Sequence, residues 1–416
     1  MSPSLATTGM TGSAPGGSGT LRVLRHRDFR LLWLGLVVSA VGTWMQIVAQ
    51  ALLVLDLSHG SPVALGLVSL AQAAAFLAFA LWGGAVADRV DKRRLLIVTQ
   101  SCSLIFALLL GVLTLRHLVA VWMIVVLAFL QGAALSFDQP ARAALVPDLV
   151  PKEELFNALS LQSIVFTGAS TIGPALAGFG MATIGYAGNF FANAVSYLGV
   201  LGALVAMRVA ASGAPIRTAN PRAIREALAT VHADAALPAL LTVFGALLFF
   251  GPSVAVLLPV MGKQVLHLDP QHLGILFSSG GLGAVIGGFG LASLRDPRHK
   301  AAIVLASAIL WALSLMGFAV SRSFEASFAT LFLVGLFQVG VSATTITLLQ
   351  TRVPPSMRGR VMSLNTLLLM GVRPLGDFVA AAVIAVAGAP LTAFLSAVVV
   401  ALAALAVTSR PAVRAA

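Results

Sequence analysis

The sequence predicts an all-α polytopic membrane protein, with twelve transmembrane helices in two six-helix, pseudo-symmetric halves. Three observations predict it. First, the 416 residues are 59% apolar and only 10% charged, with mean hydropathy +0.98, whereas a soluble domain carries about 25% charged residues. Second, a bilayer crossing needs about 20 apolar residues, and twelve such runs follow one another, at 29–56, 62–87, 95–115, 118–137, 157–182, 187–208, 238–262, 271–294, 301–320, 324–347, 359–387 and 390–408. Third, the cations alternate with the spans. Of the 26 Lys and Arg residues, Arg116, Lys263 and Arg322 fall on one side, Arg373 falls inside a span, and all the others share the side of the two termini. Positive charge collects in cytoplasmic loops, so both termini are expected in the cytoplasm and the protein in the cell (inner or plasma) membrane.

Residues 1–28 read as a tail whose first 20 positions are rich in Gly, Ser, Thr and Pro. They lack the basic start and short apolar core of a cleaved signal, so the run from Phe29 is expected to be a retained span. Residues 29–208 form the first six-helix half. The loop at 209–237 is the longest; Ile224, Leu228 and Val231 lie on one helical face, as in a linker helix on the membrane surface. Residues 238–408 form the second half, and 409–416 a cytoplasmic tail. Cys102 is the sole cysteine, which excludes an intrachain disulfide and suits a small packing residue.

The halves echo each other. Gln131 and Gln338 share one offset with Val146-Pro147 and Val353-Pro354; Ser160-Leu161, Gly168 and Gly173 share an offset four residues shorter with Ser363-Leu364, Gly371 and Gly376. Two halves in the same orientation imply an axis along the membrane normal.

The densest charge lies between the second and third spans, in Gly84-Ala-Val-Ala-Asp88-Arg89-Val-Asp91-Lys92-Arg93-Arg94. Asp88 closes the second span, where it can pair with Arg93 or face the positive end of a neighbouring helix. The fifth span holds Gly173, Pro174 and Gly178; small residues permit close helix approach, and proline removes a backbone donor. After the fourth span come Asp138 and Arg142, four apart with Pro140 between them, a candidate gate pair near the surface. Arg373 and Asp377 are ionisable groups inside a span, which are costly there and so functional candidates. They lie on one face, and two readings stay open: proton exchange coupled to substrate, or a fixed ion pair. Gln46, Gln50, Gln131, Asn193 and Gln338 are candidate cavity amides, with Asn365 at the start of the eleventh span. Asp56 reads as solvated, and Trp44, Trp82 and Trp311 as membrane aromatics without an assigned role.

Gly84, Asp88, Arg89, Arg93 and Arg94 resemble the signature loop of the major facilitator superfamily, with Asp91 in place of its second glycine. The resemblance implies the major facilitator fold and a loop that clamps the two halves and releases during transport. Gly173-Pro174-Ala-Leu-Ala177-Gly178 resembles the pattern of the superfamily's proton-coupled exporters, with Ala177 replacing a glycine. The Pro140-Ala-Arg142 run, Leu149-Val-Pro151 and Arg358-Gly-Arg360-Val-x-Ser-Leu364 resemble its enterobactin-exporter-like, drug-efflux branch. One departure stands out: the arginine that many such exporters carry three residues before Gln131-Gly132 is Ala128.

The function expected is secondary active transport, as proton-coupled export of a small amphipathic molecule (a drug or a siderophore) by alternating access. A facilitator or importer of a small metabolite shares the fold, and a non-transporting scaffold or sensor is a further alternative. The expected partners are the lipid bilayer, the small-molecule substrate and protons, with a monomeric chain. The net charge of +12 is spread over short loops and builds no nucleic-acid platform. No phosphate-binding Gly-x-x-x-x-Gly-Lys-Ser/Thr loop occurs, and no nucleophile–base set lies within the spans. The sequence is therefore not read as an enzyme, and no cofactor or metal is expected.

Overall fold

A computed structural model of the chain describes residues 21–208, 221–251, 255–294, 299–354, 357–358, 361–362, 365 and 368–409. Among them every regular element is helical. The long helices are α1 (Arg27–Leu57), α2 (Pro62–Ala87), α3 (Lys92–Leu115), α4 (Val121–Leu149) and α5 (Leu155–Ala206). After the linker helix α6 (Pro221–Ala233) come α7 (Leu237–Phe250), α8 (Leu257–Val260), α9 (Pro270–Ser293), α10 (Lys300–Val320), α11 (Phe324–Arg352), α12 (Arg373–Ala387) and α13 (Ala389–Thr408).

Ten described segments are long and apolar enough to cross a membrane. One of them, α5, makes two passes. Gly185 has φ 70° and ψ −174°, a backbone that favours glycine. A β-carbon added at Gly180 would lie 2.8 Å from Asn189 Oδ1, although nine residues of straight helix span about 13 Å. The chain therefore doubles back at Gly185, between the predicted fifth and sixth spans. The short apolar α7, continued by α8, makes the remaining pass.

Three expected spans take a different form. The seventh, read as one helix over 238–262, ends its first piece at Gly251 and resumes as α8, followed by a π-helical turn at Met261–Val265. The eleventh enters α12 through a second π-helical turn, Leu368–Val372. The fourth extends to Leu149 instead of 137 and runs through Pro140 and Pro147. Proline leaves the carbonyl four residues earlier without its helical donor. At Pro140 that carbonyl belongs to Ser136 and lies against Gly83 of α2, where an added β-carbon would be 2.1 Å away. Close packing against glycine thus accompanies the proline, and Asp138 and Arg142 remain on one continuous helix.

The expected repeat has packing counterparts. Gly173 packs on α1, against Trp44 and Val41, and its mate Gly376 packs on α7, against Phe249. In each case only a glycine fits, with the nearest atom 2.4 Å or less from an added β-carbon. Residues 1–20, 209–220, 295–298 and 410–416, and within the Arg358–Leu364 motif 359–360 and 363–364, lie outside the described residues, as does the side chain of Ile224.

Helices 27–206 and 237–408 meet along two antiparallel seams. On one, α5 packs on α9: Gly178 lies against Pro270 and Gly274, and Thr171 against Gly281. On the other, α2 packs on α12: Gly66 lies against Ala381 and Phe378, and Ser69 against Asp377. Residues 57, 62, 270 and 387 mark the face away from the described termini, here the far face; residues 27 and 408 mark the terminal face. Both seams run from the far face to mid-molecule. Farther along α5 and α9, Gly168 and Gly288 have no neighbour within 4 Å of an added β-carbon.

Candidate functional site

A cavity of about 490 Å³ begins where the seams end. It takes Trp44 and Ile47 from α1, Ser69 and Gln72 from α2, Ser170 from α5, Gln338 and Ser342 from α11, and Arg373 and Asp377 from α12. Its wall is mainly apolar, with Phe277, Leu331 and Val334 among the lining residues. Asp377 is 7% exposed and accepts a 3.0 Å hydrogen bond from the Ser69 hydroxyl. The carboxylate thus joins the two groups of helices while bordering the cavity. Arg373 opens the first turn of the same helix.

Two smaller pockets extend from this cavity into the first group of helices, sharing Trp44, Ile47 and Gln72 with it. One, about 190 Å³, is lined by Gln46, Gln50, Gln131 and Asn193, so four of the five expected cavity amides come together. Two pairs are committed to packing: Asn193 Nδ2 donates to Gln46 Oε1 at 2.7 Å, and Gln131 Nε2 to Ser103 Oγ at 3.1 Å. The fifth, Gln338, lines the central cavity instead. Ala128, at the missing-arginine position, lines the 190 Å³ pocket. Asn365 is buried, with Oδ1 unpaired among the described residues.

The other pocket, about 240 Å³, contains Asp138 and Arg142. Asp138 is 4% exposed and accepts four hydrogen bonds. Thr99 Oγ1 at 3.1 Å and Gln100 Nε2 at 2.6 Å reach Oδ1, while Arg142 Nε at 3.1 Å and Nη2 at 2.5 Å reach Oδ2. The pair therefore ties α3 to α4. Thr99 and Gln100 carried no signal in sequence beyond being polar groups in an apolar run.

The charged loop is built as two caps. Asp91 is the N-cap of α3, and its side chain accepts from the Arg94 amide at 2.9 Å. The residue that departs from the family pattern thus fills an ordinary capping role. Arg93, expected to pair with Asp88, donates to the carbonyls of Leu204 and Val205 at the end of α5, where a cation suits the helix dipole. Asp88 is the C-cap of α2, with Gly84 accepting its amide; Arg89 and Arg94 are exposed. Lys92, read only as a loop cation, is 4% exposed and bonds Asp148 at 2.8 Å. In the hinge segment, the Pro174 carbonyl faces Gly274 and Gly178 faces Pro270, so these residues form the inter-group seam.

Asp56 is exposed, as expected, and is also bridged by Lys263 and accepts from the Tyr186 hydroxyl at 2.6 Å. Trp44 lines the cavity, Trp82 is exposed and Trp311 is buried. His272 lies in α9 and His232 in α6.

The profile of the transmembrane secretion effector family matches residues 18–415. The chain belongs to this family. Within the major facilitator superfamily it stands among siderophore and drug-efflux proteins. It is 26% identical to the staphyloferrin A transporter of Staphylococcus aureus, covering 81% of this chain and 84% of that one. It is also 26% identical to macrolide efflux protein A of Streptococcus pyogenes (85% and 88% covered). Identity to the enterobactin exporter of Salmonella typhimurium is 27% (88% and 87% covered). The fold matches an inward-facing, unoccupied bacterial homologue of the human lysosomal transporter Spinster, at TM-score 0.72 and 15% identity over 96% of this chain and 99% of that one. It also matches a bacterial homologue of the iron transporter ferroportin, at TM-score 0.68 and 18% identity over 92% and 99%. The protein is thus a multi-pass membrane transporter of the major facilitator fold with efflux relatives, not an enzyme.

Proposed function

We propose that the protein exports a small amphipathic organic molecule, a drug or a siderophore, in exchange for protons by alternating access between its two six-helix halves. The observation that carries this reading is Asp377: a buried acid beside the cavity, hydrogen-bonded to Ser69 on the other group of helices. Ionised, Asp377 balances the charge of Arg373 four residues away. Protonated, it leaves the cavity with a net positive charge, which disfavours a cationic ligand. Proton arrival and retention of such a ligand are then opposed, as exchange requires. Protonation also changes the Ser69–Asp377 hydrogen bond across the α2–α12 seam, so the same event bears on how the groups sit together. The apolar wall and the Gln72 and Gln338 amides suit a largely apolar molecule with a few polar groups.

The loop cations support cytoplasmic termini in an inner or plasma membrane. The far-closed arrangement then corresponds to the inward-open state. The signature loop, through Gly84, Asp88, Arg89, Arg93 and Arg94, holds the cytoplasmic ends in register. Asp138 and Arg142 brace the first half, Gly173 seats the fifth span on α1, and Pro174 and Gly178 form the surface on which the halves rock.

The test is uptake into inside-out vesicles holding the purified, reconstituted protein, with a panel of dyes, macrolides and siderophores and an imposed pH gradient, acid inside. Accumulation that collapses with the gradient is expected, and Asp377→Asn is expected to leave flux that ignores pH. Wild-type flux that is indifferent to the gradient favours a facilitator. Unchanged pH dependence in Asp377→Asn moves proton coupling away from this residue.

A further inference from the structure

The far ends of α1 and α8 meet through residues that are mates in the internal repeat. Asp56 and Lys263 are 207 residues apart, the offset that relates Gln131 to Gln338. Just beyond them the correspondence continues, one residue farther apart. His59 and His267 both have φ 51°, Ser61 and Asp269 are N-caps, and Pro62 and Pro270 begin α2 and α9. The loop-closing backbone bonds correspond as well: Gly60 N donates to Leu55 O at 2.7 Å, and Leu268 N to Gly262 O at 2.9 Å. The second loop encloses one more residue.

The π-helical turn at Met261–Val265 absorbs that extra residue. Leu266 N bonds Met261 O, five residues back, and such turns accommodate single insertions in helices. The insertion is taken up around Lys263, leaving it opposite Asp56 and the loop beyond in its repeat-equivalent shape.

Two mates can touch only close to the axis that relates the halves, as equivalent residues do in a two-fold contact. Identical charges would repel there; Asp on one copy and Lys on the other attract. Two neighbours fix the pair. The Tyr186 hydroxyl donates to Asp56 Oδ2 at 2.6 Å, and Gln264 Nε2 donates to the Gly60 carbonyl at 2.7 Å. The second bond also crosses between the groups of helices.

We infer that Asp56 and Lys263 are a positioning pair for transport, a charge latch on the pseudo-two-fold axis that holds the far face closed and must part each time that face opens. The inference goes beyond the proton-coupled reading, because it concerns which face is closed and not what drives the change. The pseudo-symmetry adds a specific expectation: since the two sites are near-equivalent, exchanging the two residues should preserve the latch.

The test is a charge-reversal cycle in a Cys102→Ser background, with spin labels on the exposed far-face positions Leu118 and Glu325, one in each group of helices. Asp56→Lys and Lys263→Asp, each alone, replace attraction by repulsion. The pair is partly exposed, which limits its strength, so the expected shift is about tenfold in the ratio of long to short inter-label distances, toward long. Asp56→Lys with Lys263→Asp should return the parent distribution and restore flux to within about twofold. Asp56→Asn, which is milder, reports on the latch if a reversal reduces yield. Single reversals that leave the distances unchanged overturn the inference, as does a double variant as open as either single one. The distance measurement, which decides the inference, uses neither substrate nor gradient, so a failure here leaves the proton-coupled reading standing, and the converse also holds.

Discussion

Replacing Asp138 by Ala tests the polar anchor between α3 and α4. The substitution removes the acceptor of four hydrogen bonds and leaves the Arg142 guanidinium, whose side chain is 18% exposed, without its carboxylate. Breaking a buried ion pair by deleting one partner costs about 3–5 kcal/mol. Arg142 borders a pocket that admits water, so the lower end, about 3 kcal/mol, is appropriate. The unfolding entropy of 416 residues, at about 2 cal/mol/K each, is ~0.9 kcal/mol/K, which converts the loss to ~3 °C in Tm. Helices that persist in a detergent micelle lower that entropy and enlarge the shift. The assay is thermal denaturation of the detergent-purified protein, run as a double-mutant cycle with Arg142→Ala. Removing both partners should recover about 1–2 kcal/mol relative to the sum of the single losses. Strict additivity would refute the view that Asp138 and Arg142 act as one unit, and a shift below about 1 °C in Asp138→Ala would refute the anchor itself.

Gly178→Leu puts a side chain where even a β-carbon would lie 2.3 Å from the Pro270 carbonyl; far-face distances between spin labels should lengthen and flux should fall more than tenfold. Asp91→Ala removes the α3 cap at about 1 kcal/mol, while Asp91→Ser retains it, a difference readable by thermal denaturation. Lys92→Ala breaks the buried Lys92–Asp148 ion pair and should destabilise by about 3 kcal/mol, whereas Arg89→Ala, at an exposed position, should leave Tm within about 1 °C. The Asp269 carboxyl is held below its ordinary value by hydrogen bonds from the backbone and side chain of His272. A depressed carboxyl contributes its stabilising cap above the ordinary value of 3.8 and loses it as pH falls through the lower folded value. Amide exchange in the first turn of α9 should therefore speed up only in that acidic window.

Much of the architecture is legible in the chain because crossing a bilayer is a local, additive requirement. About 20 apolar residues suffice wherever they fall, so the spans and the Gly185 break between two of them follow from runs of residue type. Local reading failed where one backbone group decided the outcome. Pro140 looked like an interruption, yet α4 continues through it beside Gly83. The seventh span looked continuous, yet it breaks near Gly251 and takes in an extra residue through a π turn. Asp91 looked like a defect in the loop pattern and is the cap of α3.

The sequence by itself determined the membrane class, the alternation of charge, the repeat and the roster of polar residues inside the spans. Only the tertiary structure decided which of those residues meet. Ser69 reaches Asp377 across 308 residues and Lys263 reaches Asp56 across 207, while Gln46 turns to Asn193 and Gln338 turns to the cavity. The physical reason is that hydropathy fixes the depth of a helix but not its rotation. Rotation is set by which glycines and small residues let neighbouring backbones touch, and that information is divided among helices far apart in the chain.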